Sequence, residues 1–157
     1  MEILKQIVTN HILIASLIAW ATAQILKTIT YVIVEKKFDI KRIISDGGMP
    51  SAHSATVVTL AIMCGRTQGF GSAAFAIAMI FAVVIMRDAV GVRRESGVNA
   101  AAIKQLADRT NTNLEEGEQE IETDMLKILV GHTPLQVIGG TLVALCVSVI
   151  YILISGI

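Results

Sequence analysis

The placement of charge constrains this chain more than any other feature. Four stretches, Gln6–Leu26, Gly47–Gly65, Thr67–Met86 and Ile128–Ile157, contain no Asp, Glu, Lys or Arg. Each reaches 19 residues or more, and a helix that crosses a bilayer needs about 20. A water-soluble domain rarely has one such stretch. Four of them predict an all-α integral membrane bundle of about four apolar helices, one domain spanning residues 1–157. Composition agrees: 54% of residues are hydrophobic and the mean hydropathy is +0.67, above the usual apolar share of a soluble domain.

Thirteen Lys+Arg balance thirteen Asp+Glu, so no net field favours a nucleic-acid partner. The first stretch does not read as a cleavable signal peptide. It is too long, carries only Lys5 as a basic n-region, and lacks a small-residue cleavage site. Cys64 and Cys146 both fall in apolar stretches and read as buried packing residues, with no disulfide or metal spacing.

Helix one is expected from Ile7 to Val34, followed by a charged loop, Glu35 to Asp46. Helix two is expected from Pro50 to Cys64, with Pro50 at the first helical position. It is short for a full span, as a tilted or partly re-entrant helix would be. A tight connection, Gly65 to Gly71, leads to helix three, Ser72 to Met86. Residues 87–133 form a polar, acid-rich insert between helices three and four. Within it Val98 to Leu106 reads as a short helix, and Leu114 to Asp124 holds six acids that read as a solvated face. Helix four starts at Pro134. Thr133 as N-cap with Gln136 at N3 is a capping box. Gly139-Gly140, one turn in, invite close approach of a neighbouring helix, from this chain or from a second copy in a homo-oligomer.

With four spans, the 35–49 loop and the 87–133 insert share one side. That side holds ten basic residues, against Lys5 and Arg66 on the other. The positive-inside rule assigns it to the cytoplasm.

Two strings on that side carry chemistry: Gly47-Gly48-Met49-Pro50-Ser51-Ala52-His53-Ser54 and Gly131-His132-Thr133-Pro134. Each puts a histidine beside the start of an apolar helix, where free N–H groups and the helix dipole attract phosphate. Alone, either histidine reads equally as a helix-end residue of no special role. Two facing one phosphate would serve as nucleophile and general acid. The backbone N–H groups of Ser51 and Ala52 are candidate anion donors. Lys27 is costly inside a span unless it pairs, snorkels or meets a buried ligand. Gln24 and Tyr31 share its helical face. Beyond helix three, Arg93 or Arg94 offers a guanidinium fork for phosphate, and Asp88 could orient a histidine. His11, the third histidine, belongs to the opposite side.

GGMPSAHSA, RDAVGVRRESG and LKILVGHTPLQV, in that order, resemble the divergent branch of the type-2 phosphatidic acid phosphatase family, distantly akin to vanadium haloperoxidases. Ala23-Gln24-Ile25-Leu26-Lys27 resembles it too. The resemblance spans nearly the whole chain. The wider family's Pro-Ser-Gly-His motif supplies phosphate-binding backbone and an acid histidine; Pro50-Ser51-Ala52-His53 is similar, with Ala52 for glycine. Its Ser-Arg-x5-His-x3-Asp motif supplies an arginine, the nucleophilic histidine and an orienting aspartate. His132 matches the histidine, Gln136 falls where the aspartate stands, and Lys127 is the nearest basic substitute for the arginine, one residue out of register. The family's Lys-x6-Arg-Pro motif has Lys27 and Arg42 as its candidates.

The resemblance implies a membrane lipid phosphate phosphatase with no metal or cofactor. His132 would be the nucleophile and His53 the acid. Lys27, Arg42, Ser51, Ala52, Arg93 and Lys127 would bind phosphate, and Asp88 or Gln136 would orient a histidine. The departures at Ala52 and Gln136 keep a second reading open: a non-catalytic membrane scaffold that binds anionic lipid head groups.

Overall fold

The computed structural model describes residues 1–36, 48–112 and 133–157, with the side chains of Glu35, Arg93 and Arg94 left aside. Arg42, the acidic run 114–124, Lys127 and His132 therefore lie outside the described residues. Within the described residues every regular element is a helix: α1 (Glu2–Val8), α2 (His11–Glu35), α3 (Ala52–Gln68), α4 (Ala73–Val90), α5 (Val92–Thr112) and α6 (Pro134–Ser155).

The first predicted helix is two. Asn10 accepts the N–H groups of Ile12 and Leu13 through its side chain, and this cap starts α2 afresh after α1 ends at Thr9. The second helix starts later than expected. Ser51, not Pro50, is the boundary: its hydroxyl accepts the Ser54 N–H, so Pro50 lies outside the helix. This helix also runs past Cys64 to Gln68 and ends at Gly69, whose φ of 91° favours glycine. The short helix expected over Val98–Leu106 extends across Val92–Thr112. Ala, Leu, Gln and Lys dominate its centre, and Glu95 near its start and Arg109 near its end suit the helix dipole. Ser96 and Gly97 are carried by these neighbours.

Three helical segments are long and apolar enough to cross a membrane: His11–Val34, Ala73–Thr112 and Pro134–Ser155. The fourth expected span is α3. Its 17 residues rise about 26 Å, and it runs through the middle of the bundle, packed against α2, α4 and α6. α2 and α6 also pack on each other, and α5 packs on α4.

Small residues make these contacts. Ala15, Ala19 and Ala23 repeat every four residues along α2, all fully buried. The α3 N-cap Ser51 and, on α3 itself, Ala55, Thr59 and Met63 do the same. Gly140, Ala144 and Ser148 line the inner stripe of α6. The large apolar side chains point outward: Leu17, Ile25, Ile80, Val84, Leu142, Leu153 and many others are exposed. This inverted arrangement is stable only where the surrounding solvent is itself apolar. Helices in lipid associate by close packing of small residues, because hydrocarbon is as good a solvent for Leu as another helix is. Cys64 is buried, as expected; Cys146 faces outward on α6, one of the lipid-side residues rather than a packing residue.

The tightest contact is Gly140 on α3. A Cβ there would collide with the Ser51 carbonyl oxygen and lie 2.8 Å from Ser54 Cβ. At Gly139 a Cβ would meet only the flexible Met49 Cε, at 3.3 Å. Gly140→Ala should therefore destabilise by about 1–3 kcal/mol through overpacking, outweighing a helix-propensity gain of about 1 kcal/mol. Gly139→Ala should be nearly neutral. Thermal unfolding in detergent ranks the two variants, and equal midpoints would refute the close-packing account.

Candidate functional site

α3 and α6 begin at the same end of the bundle, and their starts are bonded together. The Ser51 N–H donates to the Gln136 carbonyl oxygen at 3.0 Å. Met49 and Pro50 lie against Gly139. Residues 49–51 of the first histidine-bearing string therefore meet residues 136–140 of α6, while His132 itself lies outside the described residues. Their contact gives the Ser51 N–H to a backbone carbonyl instead of an incoming anion, a correction to its expected role. Ser51 is fully buried, and its hydroxyl caps the helix.

The α6 start is as read from sequence. Thr133 Oγ1 accepts the Gln136 N–H at 3.4 Å, and Gln136 Oε1 accepts the Thr133 N–H at 3.1 Å. The capping box thus occupies the amide oxygen of the residue that stands where the wider family has a carboxylate.

Loop 48–51 closes over Lys27. Thr30 places its hydroxyl 2.7 Å from the Met49 carbonyl oxygen. Gly48 has φ of 117°, and a Cβ on it would lie 2.8 and 2.9 Å from Cγ and Cδ of Lys27. Here glycine is required twice, by its dihedral and by the lysine stem beneath it. Lys27 is only 5% exposed and continues the buried stripe of Ala15, Ala19 and Ala23. Its side chain is buried beneath loop 48–51.

Lys27 and His53 line one cavity of about 300 Å³, together with Trp20 and Gln24 of α2, Ala52, Thr56 and Val57 of α3, and Phe81 and Ile85 of α4. Ala52 and His53 are the first two residues of α3, where N–H groups lack intrahelical partners and the dipole is positive. A cation, an imidazole and a helix N-terminus thus converge on one space, an arrangement suited to an anion. Gln24 Oε1 is buried without a hydrogen-bond partner among the described residues.

Other expected residues lie farther out. Asp88 is one turn beyond Ile85 on α4, half-buried and not without a partner. Arg93 lies in the first turn of α5. His11 is at the far end, with its Nδ1 3.0 Å from the Tyr151 hydroxyl.

Sequence reasoning missed Trp20, Thr56, Val57, Phe81 and Ile85 as cavity residues. Trp20, Gln24 and Lys27 follow helical i, i+4, i+7 spacing, so one face of α2 was legible. Phe81 and Ile85 are indistinguishable from other apolar residues of α4 until the helices are packed.

The Divergent PAP2 family matches residues 8–147, an interval containing both strings and Lys27. The chain belongs to that family. It is 36% identical over 151 residues, 92% of its length, to YuiD, an uncharacterized membrane protein of Bacillus subtilis (strain 168), and covers 96% of that protein. No solved structure matches it. The family match agrees with the resemblance carried by the motifs and with a bundle that needs an apolar surrounding.

Gly48 and Gly69 both have positive φ, but nothing lies within 4 Å of a Cβ at Gly69. Alanine at either position costs about 1–3 kcal/mol of backbone strain. Gly48→Ala should cost more than Gly69→Ala, because it also displaces the Lys27 stem. Unfolding midpoints of the two variants check this. Equal losses would show that loop 48–51 does not clamp Lys27.

Proposed function

We propose that this protein is an integral-membrane phosphatase acting on a lipid phosphate, a phosphomonoester or diphosphate carried on an apolar tail. His132, covalently next to the α6 N-cap Thr133, attacks phosphorus. The bond to the leaving oxygen breaks as His53 gives that oxygen a proton. Water then attacks the phosphohistidine, His53 takes its proton, and phosphate leaves as the phosphorus–nitrogen bond breaks. Lys27, with Arg42, Arg93 and Lys127 as further cations, and the N–H of Ala52 balance charge on the equatorial oxygens. Asp88 is the candidate to orient a histidine. The scheme needs no metal.

The observation that carries this reading is the convergence of buried Lys27, His53 and the α3 N-terminus on one cavity, at the end where Ser51 bonds to Gln136. Family membership adds the phosphatase ancestry. With the basic side of the chain inward, the site faces the cytoplasm, which favours phosphatidic acid or phosphatidylglycerophosphate over a periplasmic polyprenyl phosphate.

One observation favours the second reading, a non-catalytic scaffold that binds anionic head groups. Gln136 Oε1 is held by the Thr133 N–H and carries no charge to stabilise a histidinium, and loss of the orienting carboxylate lowers rates steeply in comparable triads.

Phosphate release by purified protein from a panel of lipid phosphates separates the readings. Turnover should be abolished in His132→Ala and should fall about 10²–10⁴-fold in His53→Ala, the usual contribution of a positioned acid. Undiminished release by His132→Ala would overturn the mechanism. Saturable lipid binding with no release by the wild type would favour the scaffold.

A further inference from the structure

One face of α5 is apolar and exposed. Residues 92, 96, 99, 103, 106 and 110 follow one another in steps of three and four, so they form one stripe along this helix. The stripe reads Val92, Ser96, Asn99, Ile103, Leu106 and Thr110, with no Asp, Glu, Lys or Arg. Val92, Ile103 and Leu106 are 64%, 51% and 64% exposed. The two hydroxyls turn back on their own helix. Ser96 Oγ donates to the Val92 carbonyl oxygen at 2.9 Å, and Thr110 Oγ1 to that of Leu106 at 3.0 Å, so neither needs a donor or acceptor from the surroundings. Lys104, Gln105 and Asp108 take the other side of the helix, and all three are exposed.

The depth of this stripe follows from α4. Its 18 residues rise about 27 Å, close to the hydrocarbon thickness of about 30 Å. The charge-free run that contains most of α4 ends at Met86, which sets Gly91 at the polar boundary. Gly91 has φ −92° and ψ −87°, against a helical ψ of about −42°, so α5 does not prolong the axis of α4. A Cβ on Gly91 would lie 3.0 Å from the Arg87 carbonyl oxygen, and glycine suits the break. Nor is α5 a further span. Val92–Thr112 holds four Lys or Arg and two Asp or Glu, a charge density that hydrocarbon does not accept.

We propose that α5 is an in-plane membrane anchor. It lies on the bilayer surface beside the end of α4, with Val92, Ile103 and Leu106 sunk among the upper acyl carbons and its charged side among the head groups. The partner of this face is the bilayer itself. Three observations select it over a protein. α4 fixes the start of α5 at the surface, so lipid is the first apolar phase within reach. The stripe hydroxyls are satisfied within the helix, as an apolar surrounding requires. Four basic residues against two acidic ones leave an excess of two positive charges, and a basic amphipathic helix suits phospholipid head groups. A second copy would bring the same positive excess and gain nothing from it. The anchor is independent of hydrolysis and holds for an enzyme and a scaffold alike.

Spin-label accessibility in phospholipid nanodiscs reads the orientation residue by residue. The full-length chain has two cysteines, so Cys64→Ala with Cys146→Ala gives a background for single labels. Ile103→Cys, Leu106→Cys, Lys104→Cys and Gln105→Cys are each labelled. Collisions with oxygen, which concentrates in lipid, are compared with collisions with a water-soluble nickel chelate. The ratio of oxygen to nickel should be several-fold higher at 103 and 106 than at 104 and 105.

Equal ratios at the four positions would overturn the anchor. So would low access of both reagents to 103 and 106, the mark of a protein partner or a second copy on this face. The wild-type protein supplies the same comparison without any substitution, so misfolding of a variant leaves the test intact. Phosphatidylcholine with a diazirine on its acyl chain is photolysed in the nanodisc, and the adducts are mapped by peptide mass spectrometry. Adducts should fall on Val92, Ile103 and Leu106 and spare Lys104 and Gln105. A wild-type α5 without adducts on the stripe, beside a labelled α4, would also overturn it.

Discussion

Everything else in this bundle depends on how closely α6 can lie against the start of α3. Gly140 provides the room. With no Cβ, it lets the Ser51 carbonyl and Ser54 side chain reach the α6 backbone, and the Ser51 N–H then reaches the Gln136 carbonyl oxygen at 3.0 Å. Two loops more than 80 residues apart in sequence are joined by this one contact. In a low-dielectric surrounding such a backbone bond is strong, and its groups have no water to turn to. The site is therefore built on helix ends fixed by packing, not on freely moving loops.

The same logic explains why α3 is short and polar for a membrane protein. It is wrapped by α2, α4 and α6 and meets little lipid. Its Ser51, Ser54 and Thr59 sit on buried faces, while the long helices around it carry the large apolar residues outward. Placing α3 in the centre sets its positive N-terminus inside the bundle, where Ala52 and His53 line the same cavity as Lys27. That places a cationic side chain and a helix N-terminus along one cavity, and both favour negative charge nearby.

Much of this was legible in the residues. Charge-free runs gave the membrane class. Thr133 and Gln136 gave the α6 cap, and Gly139-Gly140 gave the close approach, although only Gly140 proved to be crowded. Lys27 stood out as a cation that a span would not carry without reason. What stayed hidden followed from competition between neighbours. Pro50 suited a helix start, but the adjacent Ser51 hydroxyl made the better cap. Ser51 read as an anion donor, but its N–H is taken by Gln136, a contact between elements that no local pattern encodes. Asn10 restarted a helix that hydropathy alone reads as continuous. Cys146 looked buried because hydropathy cannot say which face of an apolar helix meets lipid. His132, Lys127 and Arg42 lie outside the described residues, so the pairing of imidazoles stays a proposal.

The central claim is that His53 and His132 serve a single phosphoryl group. Rapid quenching of the wild-type enzyme with a lipid phosphate labelled in its phosphate, followed by peptide mapping, tests it most directly. The account predicts an acid-labile, base-stable phosphoryl group on His132 that forms before free phosphate accumulates. Release of phosphate with His132 unlabelled at every time point would contradict it.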